Sequence, residues 1–199
     1  MKILLIQDLI SDMNGASKAV FEIKKLLEGK GHEVRLIGYK GKKETILTFF
    51  SRWYSFKYYY LTKKLIKNFK PDIVHIHDYK YYISISPIIA AKKLNQKIIL
   101  TPHDFSLYCP KLWGIYKDGE VCKYGFSSRC FIYNCKARKE GYLYFPYQWI
   151  RLFKTYFHKQ IIKYNVQTMT CASTTLTKYI KKLFQIKILY KFQILKIFN

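Results

Sequence analysis

The chain has 199 residues, half of them apolar, which is enough for one domain with a sizeable core and too short for two full domains; that composition excludes a disordered protein. Its 36 basic residues against 12 acidic ones give a formal net charge of +24, carried mostly by lysine, and predict attraction to an anionic surface, lipid or nucleic acid. No apolar run approaches the roughly 18 to 20 residues that cross a bilayer, and Gln7 and Asp8 end the opening apolar run before a signal-peptide core forms, so a cytoplasmic chain is expected.

Ile3 to Ile6 reads as a central strand, followed by a loop of turn and cap residues, Ser11-Asp12-Met13-Asn14-Gly15. Ala16, Ala19, Val20, Ile23, Leu26 and Leu27 recur at helical spacing until Gly29-Lys30-Gly31 stops the helix, and Glu33 to Tyr39 supplies a second strand. From Glu44 to Lys70 runs an aromatic and basic helical stretch with Phe49, Phe50, Trp53, Tyr54, Phe56, Tyr58, Tyr59 and Tyr60, either packed core or a face turned to membrane or acceptor. Ile73 to Ile76 is a third strand, Ser86 to Leu94 a short helix and Lys97 to Thr101 a fourth strand. The pattern then breaks over residues 105–141, an insertion long enough to suggest function. Beyond it come a helix from Pro146 to Tyr164, a strand from Val166 to Ala172 and a helix from Thr174 to Phe184. The tail, Gln185 to Asn199, reads as a terminal helix or an unpaired strand. This alternation predicts an α/β fold with a Rossmann-like parallel sheet and flanking helices.

In such a sheet polar chemistry gathers where the carboxyl ends of strands open onto a crevice. Two strands here end in a His-Asp pair, His77-Asp78 and His103-Asp104. His103 precedes the irregular insertion, from where an imidazole can face a bound hydroxyl or phosphate; a core or capping histidine is the alternative. His75 and His77 alternate along one strand, share a face of the sheet and read as structural, while His32 after Gly31 reads as a turn residue. Asn14-Gly15-Ala16-Ser17 opens the first helix, where backbone amides suit a phosphate or sugar, although simple turn chemistry also explains a glycine there. The absence of GxGxxG argues against a nicotinamide or flavin cofactor.

Four of the five cysteines fall in the insertion, Cys109-x12-Cys122-x7-Cys130-x4-Cys135. They are candidates for a structural zinc ion, for reduced thiols or for disulfides; the spacing lacks the paired CxxC of a zinc ribbon, and Cys171 reads as a small buried apolar residue. The basic residues are scattered rather than clustered, no nucleic-acid recognition module appears, and lysines interleaved with aromatics suit a peripheral membrane surface better. Compositional bias toward Lys, Ile, Tyr and Phe is an alternative source of part of the charge.

Asn14-Gly15-Ala16-Ser17, Gly31-His32-Glu33-Val34, Pro71-Asp72-Ile73-Val74-His75-Ile76-His77 and Leu100-Thr101-Pro102-His103-Asp104 together resemble the amino-terminal domain of family 4 glycosyltransferases, and the insertion from Cys109-Pro110 resembles one branch of that family. The resemblance implies one half of a GT-B architecture, in which this half receives the acceptor and a second Rossmann-like domain binds a nucleotide sugar. It implies transfer with retention of configuration and no metal or other cofactor in catalysis. Carried over by position, His103 is the catalytic-site histidine near the transferred sugar, and Asn14, Gly15 and Asp104 contribute to donor or acceptor binding; the family usually has a second glycine where this chain has Asn14.

On this reading residues 1–184 form the acceptor-side domain with its insertion 105–141, and 185–199 is an aberrant or truncated tail, as if the reading frame were lost near Phe184. The expected role is cell-surface polysaccharide or glycolipid synthesis, inactive alone, on the inner membrane face. The alternatives are a non-enzymatic basic module that binds anionic membrane or pairs with a separately encoded catalytic domain, and, less favoured, a zinc-stabilised nucleic-acid binder.

Overall fold

The computed structural model describes residues 1–11, 15–41, 51–109, 114, 120–127, 130, 144–171, 173–181, 184 and 187–190, with backbone alone for 144–148 and 187–190. In chain order the elements are β1 (Lys2–Leu9), α1 (Gly15–Gly29), β2 (Glu33–Tyr39), α2 (Phe56–Phe69), β3 (Ile73–His77), α3 (Ser86–Lys93), β4 (Lys97–Thr101), a 3-10 turn (Phe105–Leu107), α4 (Tyr144–Asn165), β5 (Thr168–Cys171), α5 (Thr174–Lys181) and β6 (Lys187–Tyr190). The strands form one six-stranded sheet in the order β2-β1-β3-β4-β5-β6, with every pairing parallel. This is the α/β, Rossmann-like arrangement expected from the alternation of elements.

Local chemistry sets the helix limits. Ser55 caps α2 by accepting the Tyr58 amide at 3.4 Å, and Lys70, at φ 50°, closes it by donating its amide to the Ile66 carbonyl just before Pro71. The aromatic stretch therefore becomes helical from Phe56 onward; residues 44–50 of it lie outside the described residues. Gly31, at φ +80°, takes the left-handed turn after α1 that an L side chain resists.

Because side chains alternate across a strand, the sheet has two faces. On one, Leu4, Ile6, Val74, Ile76, Ile98, Leu100 and Met169 pack against Tyr58, Ile66 and Phe69 of α2, Ile88 of α3, Ile162 of α4 and Leu176 and Ile180 of α5. On the other, Ile3, Leu5, Ile73 and Ile99 pack against Val20 and Leu27 of α1. The described tail contributes a sixth strand, not a helix or an unpaired strand: Thr168 to Cys171 pairs in register with Lys187 to Tyr190.

Ile76 is fully buried in the strand that joins β1 to β4. Ile76→Ala is expected to cost about 2–5 kcal/mol in urea unfolding, whereas Phe56→Ala, at an exposed position, should stay within about 0.5 kcal/mol. Equal losses at the two positions would contradict this packing.

Candidate functional site at the carboxyl edge of the sheet

The connection after β1 runs outward to β2 while that after β3 runs the other way to β4, so the switch point of this sheet, where sheets of this kind place a ligand crevice, falls between the carboxyl ends of β1 and β3. Asp8 stands there, 2% exposed. Its carboxylate accepts three amides of the loop after β3, those of Tyr81 (2.7 Å), Tyr82 (2.8 Å) and Ile83 (3.0 Å). The loop is bent sharply, with Asp78 at φ 63° and Ser84 at φ 55°. At its far end the Ser84 and Ser86 hydroxyls accept the Ser55 amide at 3.0 and 2.7 Å, which ties the start of α2 to the same loop.

A buried ionic cluster follows. The Lys80 ammonium bonds Asp104 and lies 3.3 Å from Asp78. Burial pulls the Lys80 pKa down, but the two carboxylates outweigh it and the net shift is upward. Burial holds the Asp78 carboxyl up at about 6 against the opposing pull of Lys80. Lys154 of α4 donates to the Lys80 carbonyl at 2.8 Å; burial, with the charges of Arg52, Arg151 and Lys80, brings it down to about 8. Tyr79 is buried and its phenol raised well above 10 by burial and by Asp78, Asp104 and Asp8, so it stays neutral. His158 donates from Nε2 to the Trp53 carbonyl at 3.2 Å, and burial, with Lys154 beside it, lowers it to about 3.

The α1-side face turns polar along the same edge. The register sets Leu5 beside His75 and Gln7 beside His77, and His75 and His77 beside Ile99 and Thr101. His75 Nε2 lies 2.7 Å from the Thr101 hydroxyl, which in turn bonds Thr170. Burial, with the charge of His103 second, lowers His75 to about 3. His77 Nδ1 lies 3.3 Å from Nε2 of His103, with the two rings near-parallel at 28°. His103 is half-buried and His77 fully buried. The structure thus brings His77, read from sequence as structural only, into contact with His103.

Asp104 has both oxygens in use, one on Lys80 and the other accepting the Ser106 amide at 2.8 Å, where it caps the 3-10 turn. Gly15 is the first residue of α1, and a Cβ added there meets nothing within 4 Å, so among the described residues no packing demands glycine. Behind it, Ser17 donates to the Leu9 carbonyl at 2.6 Å and accepts the Ser11 amide at 3.2 Å, fixing the helix start to the end of β1. Asn14 lies outside the described residues. Of the insertion cysteines, Cys122 is buried and Cys109 and Cys130 half-buried, while Cys135 lies outside the described residues. Among the described residues no group of three or more His, Cys, Asp or Glu side chains is arranged to hold a metal ion.

The sequence profile of glycosyltransferase family 4 matches residues 13–187. The chain belongs to glycosyltransferase family 4. The match spans Gly15, His77, Lys80, His103 and Asp104 but begins after β1, so Asp8, which ties the crevice together, lies outside it. No curated protein sequence matches the chain. Among solved structures, the UDP-GlcNAc 2-epimerase of Methanocaldococcus jannaschii is similar in fold at 11% identity and TM-score 0.52, covering 96% of this chain and 45% of the epimerase. The chain thus spans less than half the length of that structure. Acinetobacter baumannii MurG aligns at 9% identity and TM-score 0.39, over 95% of this chain and 67% of MurG.

The buried histidines of this family 4 domain set its acid stability. His75 and His158 have folded pKa values lowered to about 3 from an ordinary 6.5, so between those limits the unfolded chain binds more protons and stability falls as pH falls. Asp78, raised to about 6 from 3.8, works in the opposite sense over a narrower window. Unfolding free energy should therefore decline on acidification below about pH 6.5. His158→Gln, which keeps a donor for Trp53, should remove about one of the protons taken up on unfolding; an unchanged pH slope in that variant would contradict its burial as neutral imidazole.

Proposed function

We propose that this domain is the acceptor-side half of a retaining, nucleotide-sugar-dependent glycosyltransferase that builds a cell-surface polysaccharide or glycolipid, working on a lipid-linked saccharide at the inner membrane face. The observation that carries this reading is the His103–His77 pair at the carboxyl edge of the sheet. A hydrogen bond between two imidazole nitrogens needs a proton on one and a lone pair on the other, so His77 restricts the tautomer and ring orientation of His103. A half-buried histidine held in this way is suited to bond a hydroxyl of the sugar being transferred.

Gly15, at the start of α1 and with no described atom within 4 Å of where a Cβ would stand, is suited to close approach by the donor phosphate or sugar, a role it would share with Asn14. Asp104 supports His103 from the adjacent position by anchoring the turn that follows through Lys80 and Ser106. The net charge of +24 favours an acceptor presented at an anionic membrane. A second Rossmann-like domain, in the same polypeptide or a separate one, supplies the donor-selecting residues. The same charge also favours a second reading, a basic module that binds anionic membrane and recruits a separate catalytic domain without chemistry of its own.

The test is transfer from labelled nucleotide sugars to membrane-extracted acceptor, with and without a co-expressed family 4 donor domain. The 199 residues alone should be inactive, the pair active, and the pair carrying His103→Ala slower by about tenfold or more, the cost of a lost hydrogen bond to a polar substrate. Transfer by the pair at an unchanged rate after His103→Ala would remove His103 from the site, and recruitment of the donor domain with no transfer would favour the basic-module reading.

A further inference from the structure

Helix α4 exposes six large side chains: Trp149, Ile150, Phe153, Tyr156, Phe157 and Tyr164. At 3.6 residues per turn they fall within an arc of about 120°, interrupted by Gln160 and running about 22 Å along the axis. The opposite side of the helix is spent on the core, where Leu152, His158 and Ile162 are buried. Phe153, Tyr156 and Phe157 are each more than half exposed. Burial against the chain's own fold therefore explains one side of α4 and leaves on the other an apolar stripe, broken at Gln160, that is larger than the scattered apolar residues of an ordinary surface.

The charges on α4 identify what covers that stripe. The helix contains no Asp or Glu, and Lys159 and Lys163 run along one border of the stripe. Lys163 Nζ lies 5.7 Å from the centre of the Tyr164 ring, and Lys159 Nζ 5.8 Å from that of Phe126, which packs against Tyr156 of the stripe, so both ammonium groups stand beside its aromatic rings. A second copy of a chain with a net charge of +24 would bring like charge to the same place. Nor is the helix a membrane span: among the described residues none is long and apolar enough to cross a bilayer. An aromatic stripe bordered by lysines and too polar to insert is the pattern of a helix that lies in the plane of a lipid interface.

We propose that α4 lies flat on an anionic lipid surface, with its Trp149-to-Tyr164 stripe at the boundary of headgroups and acyl chains and Lys159 and Lys163 at the lipid phosphates. This rests on the membrane-face part of the proposed function and not on its transfer chemistry. It shifts the aromatic membrane face from the residue 44–70 stretch, whose Tyr58 and Tyr59 are buried, to a helix on the far side of the insertion. Since Lys154 of α4 bonds the Lys80 carbonyl, the same helix that meets lipid also holds the loop at the crevice.

The test uses the full chain with vesicles of phosphatidylglycerol mixed into phosphatidylcholine, and of phosphatidylcholine alone. Binding should require the anionic lipid. Trp149 emission, isolated by difference from Trp149→Phe, should shift to the blue and be quenched by brominated acyl chains. The double variant Phe153→Ser/Phe157→Ser, altered at exposed positions and checked by circular dichroism, should bind about tenfold or more weakly. Wild-type affinity in a folded double variant, or Trp149 unquenched in vesicle-bound wild type, would overturn the role of α4 while leaving membrane attraction to the dispersed lysines. No binding of wild type to anionic vesicles would overturn both, and neither result touches the transfer assay. Self-association that the double variant abolishes, without vesicle binding, would reassign the stripe to a second copy of the chain.

Discussion

The crevice depends on one carboxylate. Asp8 sits at the end of a central strand, almost wholly out of water, and three consecutive amides of the loop after β3 converge on it. A carboxylate buried without partners would be driven to neutralise, whereas bonds from amides to a charged acceptor contribute about 1.5–3 kcal/mol each. The arrangement is reciprocal: the loop makes burial of the charge tolerable, and the charge makes the loop's left-handed turns at Asp78 and Ser84 tolerable. Without Asp8 the loop would lose the contact that sets where Lys80 points, and Lys80 in turn holds Asp104 and the start of the turn after His103. The position of the proposed sugar-facing imidazole is thus linked, through a loop and an ion pair, to a residue two strands away.

Two networks of different character share that edge, and the parity of the strands keeps them apart. On the α1 side of the sheet His75, Thr101 and Thr170 are joined by hydrogen bonds, the His77 ring packs against that of His75, and burial keeps His75 uncharged at neutral pH. Asp78, Lys80 and Asp104 lie past the strand ends in the loops, where charge is tolerated because opposite charges lie within reach, and Asp8 at the end of β1 is held there by amides. His103 is where the two meet. It contacts the neutral strip through His77, and its neighbour in sequence, Asp104, belongs to the ionic cluster. A half-buried histidine at such a junction is held in orientation by His77, as a group must be that binds a hydroxyl without being displaced by it.

Much of this was legible in the chain itself. The alternation of apolar runs named five of the six strands and the helices between them, because buried parallel strands are continuous apolar segments bounded by turn residues. The sixth strand was not legible: Ile188, Leu189, Phe192 and Leu195 satisfy a helical period as well as a strand, and pairing with β5 decides the matter only in three dimensions. His103 and Asp104 could be singled out because they end a strand. Asp8 ends a strand too, and an acid closing an apolar run was the signal available for it, but nothing local reveals that its partners are amides more than seventy residues away. Lys154 and His158 were invisible for the same reason, since on a helical wheel they are two polar residues among several and their burial comes from docking against the β3 loop and Trp53. The structural reading of His77 was incomplete, not mistaken: it is buried, and being buried is what lets it hold His103.

The charge of the chain has to be apportioned between site and surface. Around the crevice Asp8, Asp78 and the half-buried Asp104 stand near the ammonium groups of Lys80 and Lys154 and the guanidinium groups of Arg52 and Arg151, so acids and bases there come close to balance. The excess of +24 therefore does not arise from the proposed chemistry and has to sit on the outer surface. There it raises the local concentration of anionic partners and falls off with salt over about 8 Å at physiological ionic strength, so it can gather the protein at a membrane but cannot orient it. Orientation requires a shaped contact, and in the described residues the exposed stripe on α4 is a surface with that property. Since α4 also supports the β3 loop through Lys154, its docking would set the crevice at a fixed attitude to the lipid plane, turning a non-directional attraction into presentation of a lipid-linked acceptor to His103.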